Sequence, residues 1–184
     1  MIRRLSPDVS GQAFALTVLT PIADGEHDDL RAYLESLRTD QARGPLARLP
    51  RTHFGRWVMI PDFVAEDERD PDHLEAPHLL FTACFDGDLD SYLRELATEL
   101  APEAEHIWGR CAGCPRPASG KPLEDYLKAH RITTGFFVAA YPQATVTEVR
   151  AALEQRERLI AFAIEAQGLD AASLQTRFAE RFRG

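Results

Sequence analysis

Apolar positions in the first part of the chain follow two different periods. Residues 13–21, AFALTVLTP, carry the β-branched and aromatic content of a strand and end in proline. The next stretch, DGEHDDLRAYLESL, sets Leu30, Tyr33, Leu34 and Leu37 at i, i+3, i+4 and i+7 behind an acidic first turn. That spacing predicts an amphipathic helix with its dipole complemented. HFGRWVMI (53–60) and HLLFTACFD (78–86) predict two more strands. DGDLDSYLRELATEL repeats the helical spacing with Leu89, Tyr92, Leu93, Leu96 and Leu100, capped by Asp86 or Asp88. EHIWGRC (105–111) then predicts a fourth strand.

The resulting order, β-α-β-β-α-β, predicts an α+β, ferredoxin-like arrangement. Right-handed crossovers give an antiparallel sheet in the order 4-1-3-2, with both helices on one face. An α-β-α extension follows: PLEDYLKAH with Pro122 in its first turn, the strand TTGFFVAAYP, and a long helix opened by the capping box Thr145-x-x-Glu148. That helix carries Val146, Val149, Leu153, Ile160 and Ile164 on one stripe and stops near Gly168; a short helix, DAASLQTRFAERF, closes the chain. The Pro-rich turn CPRPASGKP divides a ferredoxin-like domain, 1–117, from the extension, 118–184, packed on the same core.

If the second and third strands pair with residue numbers summing to about 138, Trp57 lies opposite Phe81 and Gly55 opposite Ala83. The far face then carries Phe54, Arg56, Val58, Ile60, Leu80, Thr82 and Cys84. A one-residue slip would exchange the two faces. So apolar a surface calls for a cover, and the expectation is the C-terminal extension or a homodimer packing sheet to sheet.

A length of 184 residues suits one well-buried core, and 45% apolar with 27% charged residues is an ordinary globular composition. No apolar run approaches the roughly 20 residues that span a bilayer, and nothing behind Arg3 and Arg4 resembles a secretory signal. A cytoplasmic location is the expectation. The net charge of −8 disfavours nucleic acid and anionic lipid as partners. Most of that charge sits between Pro61 and Pro77, where seven acids face Arg69 alone. This stretch reads as a solvated loop, without the D-x-D-x-D-G spacing of a calcium site.

Cys111-x-x-Cys114 could be a redox pair or half a zinc site, with His73 and His78 as the other ligands. The residues after it, PRPASG, lack the helix a thioredoxin-type pair needs. In the predicted topology His78 begins the third strand and Cys111 ends the fourth, which runs parallel to it, so about eight residues at roughly 3.3 Å each separate them. Two ordinary thiols in a turn are the favoured reading, with no metal. ASGKP fails the phosphate-loop spacing at Pro115 and Pro122, and neither G-x-S-x-G nor G-x-G-x-x-G occurs.

What remains as candidate ligand-binding positions is His53, Arg56 and Trp57 on the second strand and His106, Trp108 and Arg110 on the fourth. The last three alternate, so on a strand they share a face and could grip a flat or anionic ligand. The plainer reading is that the arginines pair with acids such as Asp86 or Asp88, the histidines cap backbone and the tryptophans pack.

HFGRWVMI, LLFTACFDGDLDSYLREL and FFVAAYPQATVTEVRAAL resemble a stretch of some bacterial proteins associated with haem-dependent peroxidases, in which H-F-x-R-[FW] and F-[DN]-G-D recur. The matching positions are His53, Phe54, Arg56, Phe85, Asp86 and Gly87. The resemblance implies a ferredoxin-like module, similar also to dimeric α/β-barrel proteins, but no segment here is long enough to be a peroxidase domain. Two functions are therefore expected. The favoured one is a non-catalytic module that dimerises and binds a protein partner or small hydrophobic ligand, with no cofactor. The alternative is a small oxidative enzyme, haem-dependent or cofactor-free, with His53 or His106 as ligand or base and Arg56 or Arg110 on a carboxylate.

Overall fold

The computed structural model describes residues 6–37, 44–62 and 73–182. Residues 63–72, most of the acidic stretch, lie outside the described residues.

The class is α+β, and the sheet is antiparallel, in the order β1-β2-β4-β3. β1 is Val9–Ser10, β2 Ala13–Pro21, β3 Thr52–Ile60 and β4 His78–Asp86. The three predicted strands at 13–21, 53–60 and 78–86 are neighbours in the expected sequence, with the third between the other two. Their register also holds: Trp57 pairs with Phe81 and Gly55 with Ala83. Alternation fixes which face is buried. Leu16, Val18, Leu79, Phe81 and Phe85 lie in the core beneath the helices.

Four helices supply the rest of that core: α1 (His27–Ser36), α2 (Leu89–Glu99), α3 (Ala101–Ile107) and α4 (Gly120–Ala129). Leu30, Leu93, Leu96, Ile107, Leu123 and Leu127 are each fully buried against it. Asp88 caps α2 by accepting from the Ser91 N–H at 2.9 Å. Just before it, Gly87 turns the chain with φ +94°, a conformation that favours glycine.

The predicted fourth strand, 105–111, is instead the end of α3 followed by a 3₁₀ turn, Trp108–Arg110. Pro102 sits in the first turn of α3 and restarts a helix right after α2. Ala104, Ile107 and Trp108 are buried, at i, i+3 and i+4. That helical spacing outweighs the apparent alternation of His106, Trp108 and Arg110. Only Cys111 reaches the sheet, in a single bridge to Ile22.

The predicted strand at 133–142 is also absent. Its edge of the sheet is taken by β1, and the segment runs past as irregular chain, tied by Thr134 N–H to Asp8 (2.7 Å) and Ala139 N–H to Ser10 (3.0 Å). Pro142 accepts from Gln12 N–H at 2.7 Å, close over the β1–β2 turn. There Gly11 has φ +63°, and a Cβ on it would stand 1.9 Å from the Pro142 oxygen. Phe136, Val138 and Tyr141 remain exposed.

The chain divides into two compact units, the first ending at Val146 and the second beginning at Thr147. α5 is Val146–Glu165 and α6 Ala171–Phe182; the second unit holds α6 and all of α5 after Val146. Phe162 packs edge-on against Phe178 and Phe182, with ring centres 5.6 and 5.5 Å away. Every residue from Thr147 to Ile160 is exposed, including Val149, Leu153 and Leu159. No helix among the described residues is long and apolar enough to cross a membrane.

Candidate functional site

His53 occupies an irregularity in β3. The pairing with β4 shifts between Thr52 and Phe54, which leaves His53 without a partner in the ladder. Such a bulge re-aims a side chain. Here the imidazole Nε2 donates to Asp86 Oδ1 at 2.7 Å, and the other carboxylate oxygen accepts the Val146 N–H, also at 2.7 Å. Asp86 is 8% exposed, so both its bonds replace lost solvent. Beside it Thr52 and Tyr92 share a hydrogen bond of 3.1 Å. Arg51 donates from both Nε and Nη2 to Glu95, at 3.1 and 2.9 Å. Arg51, Thr52 and His53 thus pin the start of β3 to α2 and to the end of β4.

The other predicted positions do not converge. Arg56 projects from the far face of the sheet and reaches Thr82 Oγ1 at 3.3 Å. Trp57, one residue on, points to the core and stacks on Phe81 at 5.2 Å. Trp108 meets both rings edge-on, at 6.1 Å from Trp57 and 5.3 Å from Phe81. His106 stacks on Tyr33 at 4.8 Å, and Arg110 pairs with Glu26 and with Asp29 at 3.0 Å. So Trp57 and Trp108 are brought together as packing. His106, Trp108 and Arg110 share no face, because they lie on helix and turn. The acids that hold Arg110 are those of α1 and the residue before it, not Asp86 or Asp88. Sequence reasoning missed Asp8. It is 1% exposed, pairs with Arg131 at 3.0 Å and accepts from Thr134. Nothing in its local sequence sets it apart from the exposed acids.

All three thiols are held neutral, Cys84 and Cys111 buried and Cys114 half-buried. Burial pushes Cys111 up to about 11, with its sulfur accepting from Thr20 Oγ1 at 3.2 Å. Burial, then the neighbouring Cys111 and Glu105, push Cys114 up to about 12. Cys84 rises to about 11 through burial and the adjacent Asp86. A thiol needs the opposite environment to be a nucleophile or a ligand. The predicted distance between His78 and Cys111 is wrong. His78 pairs with Pro21 and Cys111 bridges Ile22, so both flank the same end of β2. Even so, His78 Nδ1 bonds the Ala76 carbonyl and His73 bonds Asp62. Among the described residues no cluster of three or more His, Cys, Asp or Glu could hold a metal ion.

Comparison of the chain with protein-family models, with curated proteins and with solved structures finds no match in any of the three. The resemblance to peroxidase-associated proteins therefore rests on its short motifs, of which His53 and Asp86 are in direct contact.

Proposed function

We propose that this chain is a non-catalytic module that self-associates and uses the far face of its sheet to hold a protein partner or a small hydrophobic ligand. The observation that carries this reading is the composition of that face. Phe54 is 65% exposed, Ala15, Leu19, Val58, Ile60 and Leu80 are half-buried, and among the described residues Thr17, Thr82 and Arg56 interrupt the hydrocarbon, with His78 at one end and Asp86 at the other. A continuous apolar patch of this kind marks an interaction surface. The titratable side chains that could do chemistry are already engaged with partners inside the fold, which also supports a binding role.

The test uses the dye 1-anilinonaphthalene-8-sulfonate with sedimentation. The proposed module sediments above monomer mass, enhances the dye's fluorescence, and loses that enhancement in Leu80→Asp at unchanged far-ultraviolet circular dichroism. Absence of dye binding in the native chain overturns the reading.

One observation favours the oxidative alternative. Asp86 fixes Nε2 of His53, the arrangement that orients a ligating or basic imidazole through its other nitrogen. The rest of the expected haem set does not fit around it. Arg56 lies on the far face of the sheet, whereas His106 and Arg110 are engaged with α1 and its N-terminal flank on the opposite face.

A further inference from the structure

The two edges of the sheet are treated in opposite ways. Along β2 and the two residues after it, alternate residues turn their main-chain groups outward, and five in succession have one of those groups met by another part of the chain. Ala15 N–H bonds Asp8, Thr17 O accepts from Ile132, Leu19 N–H bonds His130, Pro21 O accepts from Ala112, and Ala23 N–H bonds Arg110. That edge is largely occupied.

The same alternation fixes what β3 presents on its outer side. Since Phe14, Leu16, Val18 and Thr20 turn their main chain toward β4, they bond Phe85, Ala83, Phe81 and Leu79. The intervening β4 residues, Leu80, Thr82 and Cys84, face β3 and bond Val58, Arg56 and Phe54. Gly55, Trp57 and Met59 are left with both main-chain groups pointing away from the sheet. Among the described residues none pairs with them. β3 also has little of the usual protection of an edge: it contains no lysine and no proline, Arg56 is its one arginine, and its one bulge lies at the far end, by His53.

We infer that two copies of the chain join edge to edge through β3, antiparallel and two-fold symmetric about Trp57. This rests on the self-association proposed above and names its surface. The register follows from the residues. Centred on Trp57, Gly55 meets the partner's Met59 and Trp57 meets the partner's Trp57, each pair exchanging both of its hydrogen bonds. Between them Arg56 lies opposite the partner's Val58, and Phe54 opposite the partner's Ile60. Centring on Arg56 would oppose two guanidiniums, and centring on Val58 would set Gly55 against Pro61, which has no N–H. The joined sheets double the width of the apolar far face.

The register gives a paired test. Val58→Glu and Val58→Lys lose the same valine, but Glu faces the partner's Arg56 attractively and Lys repels it. Sedimentation equilibrium then gives a dissociation constant about tenfold lower for Val58→Glu than for Val58→Lys. Amide exchange followed by NMR shows Gly55, Trp57 and Met59 protected in a concentration-dependent way. A dimer in which both variants bind equally and these amides exchange freely overturns the edge pairing and leaves the proposed function standing. A native chain that is monomeric at micromolar concentration overturns both.

Discussion

His53 and Asp86 are 33 residues apart in the chain and 2.7 Å apart in the fold, and the imidazole supplies one of the two hydrogen bonds that satisfy a buried carboxylate. The bond ties a bulge in β3 to the last residue of β4, where the first residue of α5 is also held. The histidine is an anchor first, whatever else it does.

His53→Ala leaves Asp86 Oδ1 buried without a donor, a loss of about 1–3 kcal/mol. For a chain of this size the melting temperature falls by about 3–10 °C. Arg56→Ala removes one exposed 3.3 Å bond to Thr82 and stays within about 0.5 kcal/mol. Thermal unfolding of the two variants checks the contrast, and equal shifts would contradict the anchoring role.

Gly11→Ala strains a left-handed backbone and drives a Cβ into the Pro142 carbonyl, an atom that cannot rotate away. The expected cost is about 3 kcal/mol or more, with loss of the Gln12–Pro142 hydrogen bond. Urea unfolding measures it. An alanine variant as stable as the native chain would mean that the 133–142 segment does not press on this turn.

The folded chain holds Cys111 neutral up to about pH 11 and Tyr92 up to about pH 12, both because of burial. The folded state therefore keeps protons that the unfolded state releases above its ordinary thiol value of 9.0. This stability is fully present below that pH and is lost as pH rises through the folded values. Cys111 alone accounts for a decline on the order of 2 kcal/mol. Urea midpoints at about pH 8 and about pH 10.5 should show the fall, reduced in Cys111→Ala; a flat profile would contradict the burial.

Added haemin is expected to give no Soret band typical of histidine ligation, since His53 shares its setting with none of the other expected ligands. A shifted band that disappears in His53→Ala would establish the oxidative alternative instead.

The β3–β4 pairing was legible because setting Trp57 against Phe81 and Gly55 against Ala83 puts large against large and small against small. Residues 105–111 misled because Trp108 belongs to two patterns at once: it alternates with His106 and Arg110, and it completes a helical turn with Ala104 and Ile107. Packing chose the helix, and Pro102 had marked its start. Residues 133–142 have a strand's composition, but the side of β2 they run along is already taken by β1 and by His130 and Ile132, and edge availability is a property of the whole sheet. For the site, the sequence named both His53 and Asp86 but not their contact. A bulge made that contact, and no local residue signal announces this one.

The closure of β2 has a cost in time. During synthesis β2 emerges early, while the segment that bonds Thr17 and Leu19 follows more than half the chain later. At ordinary elongation rates that delay is on the order of ten seconds. Throughout it, a hydrogen-bonding row that the mature molecule partly covers is open to any neighbouring nascent chain.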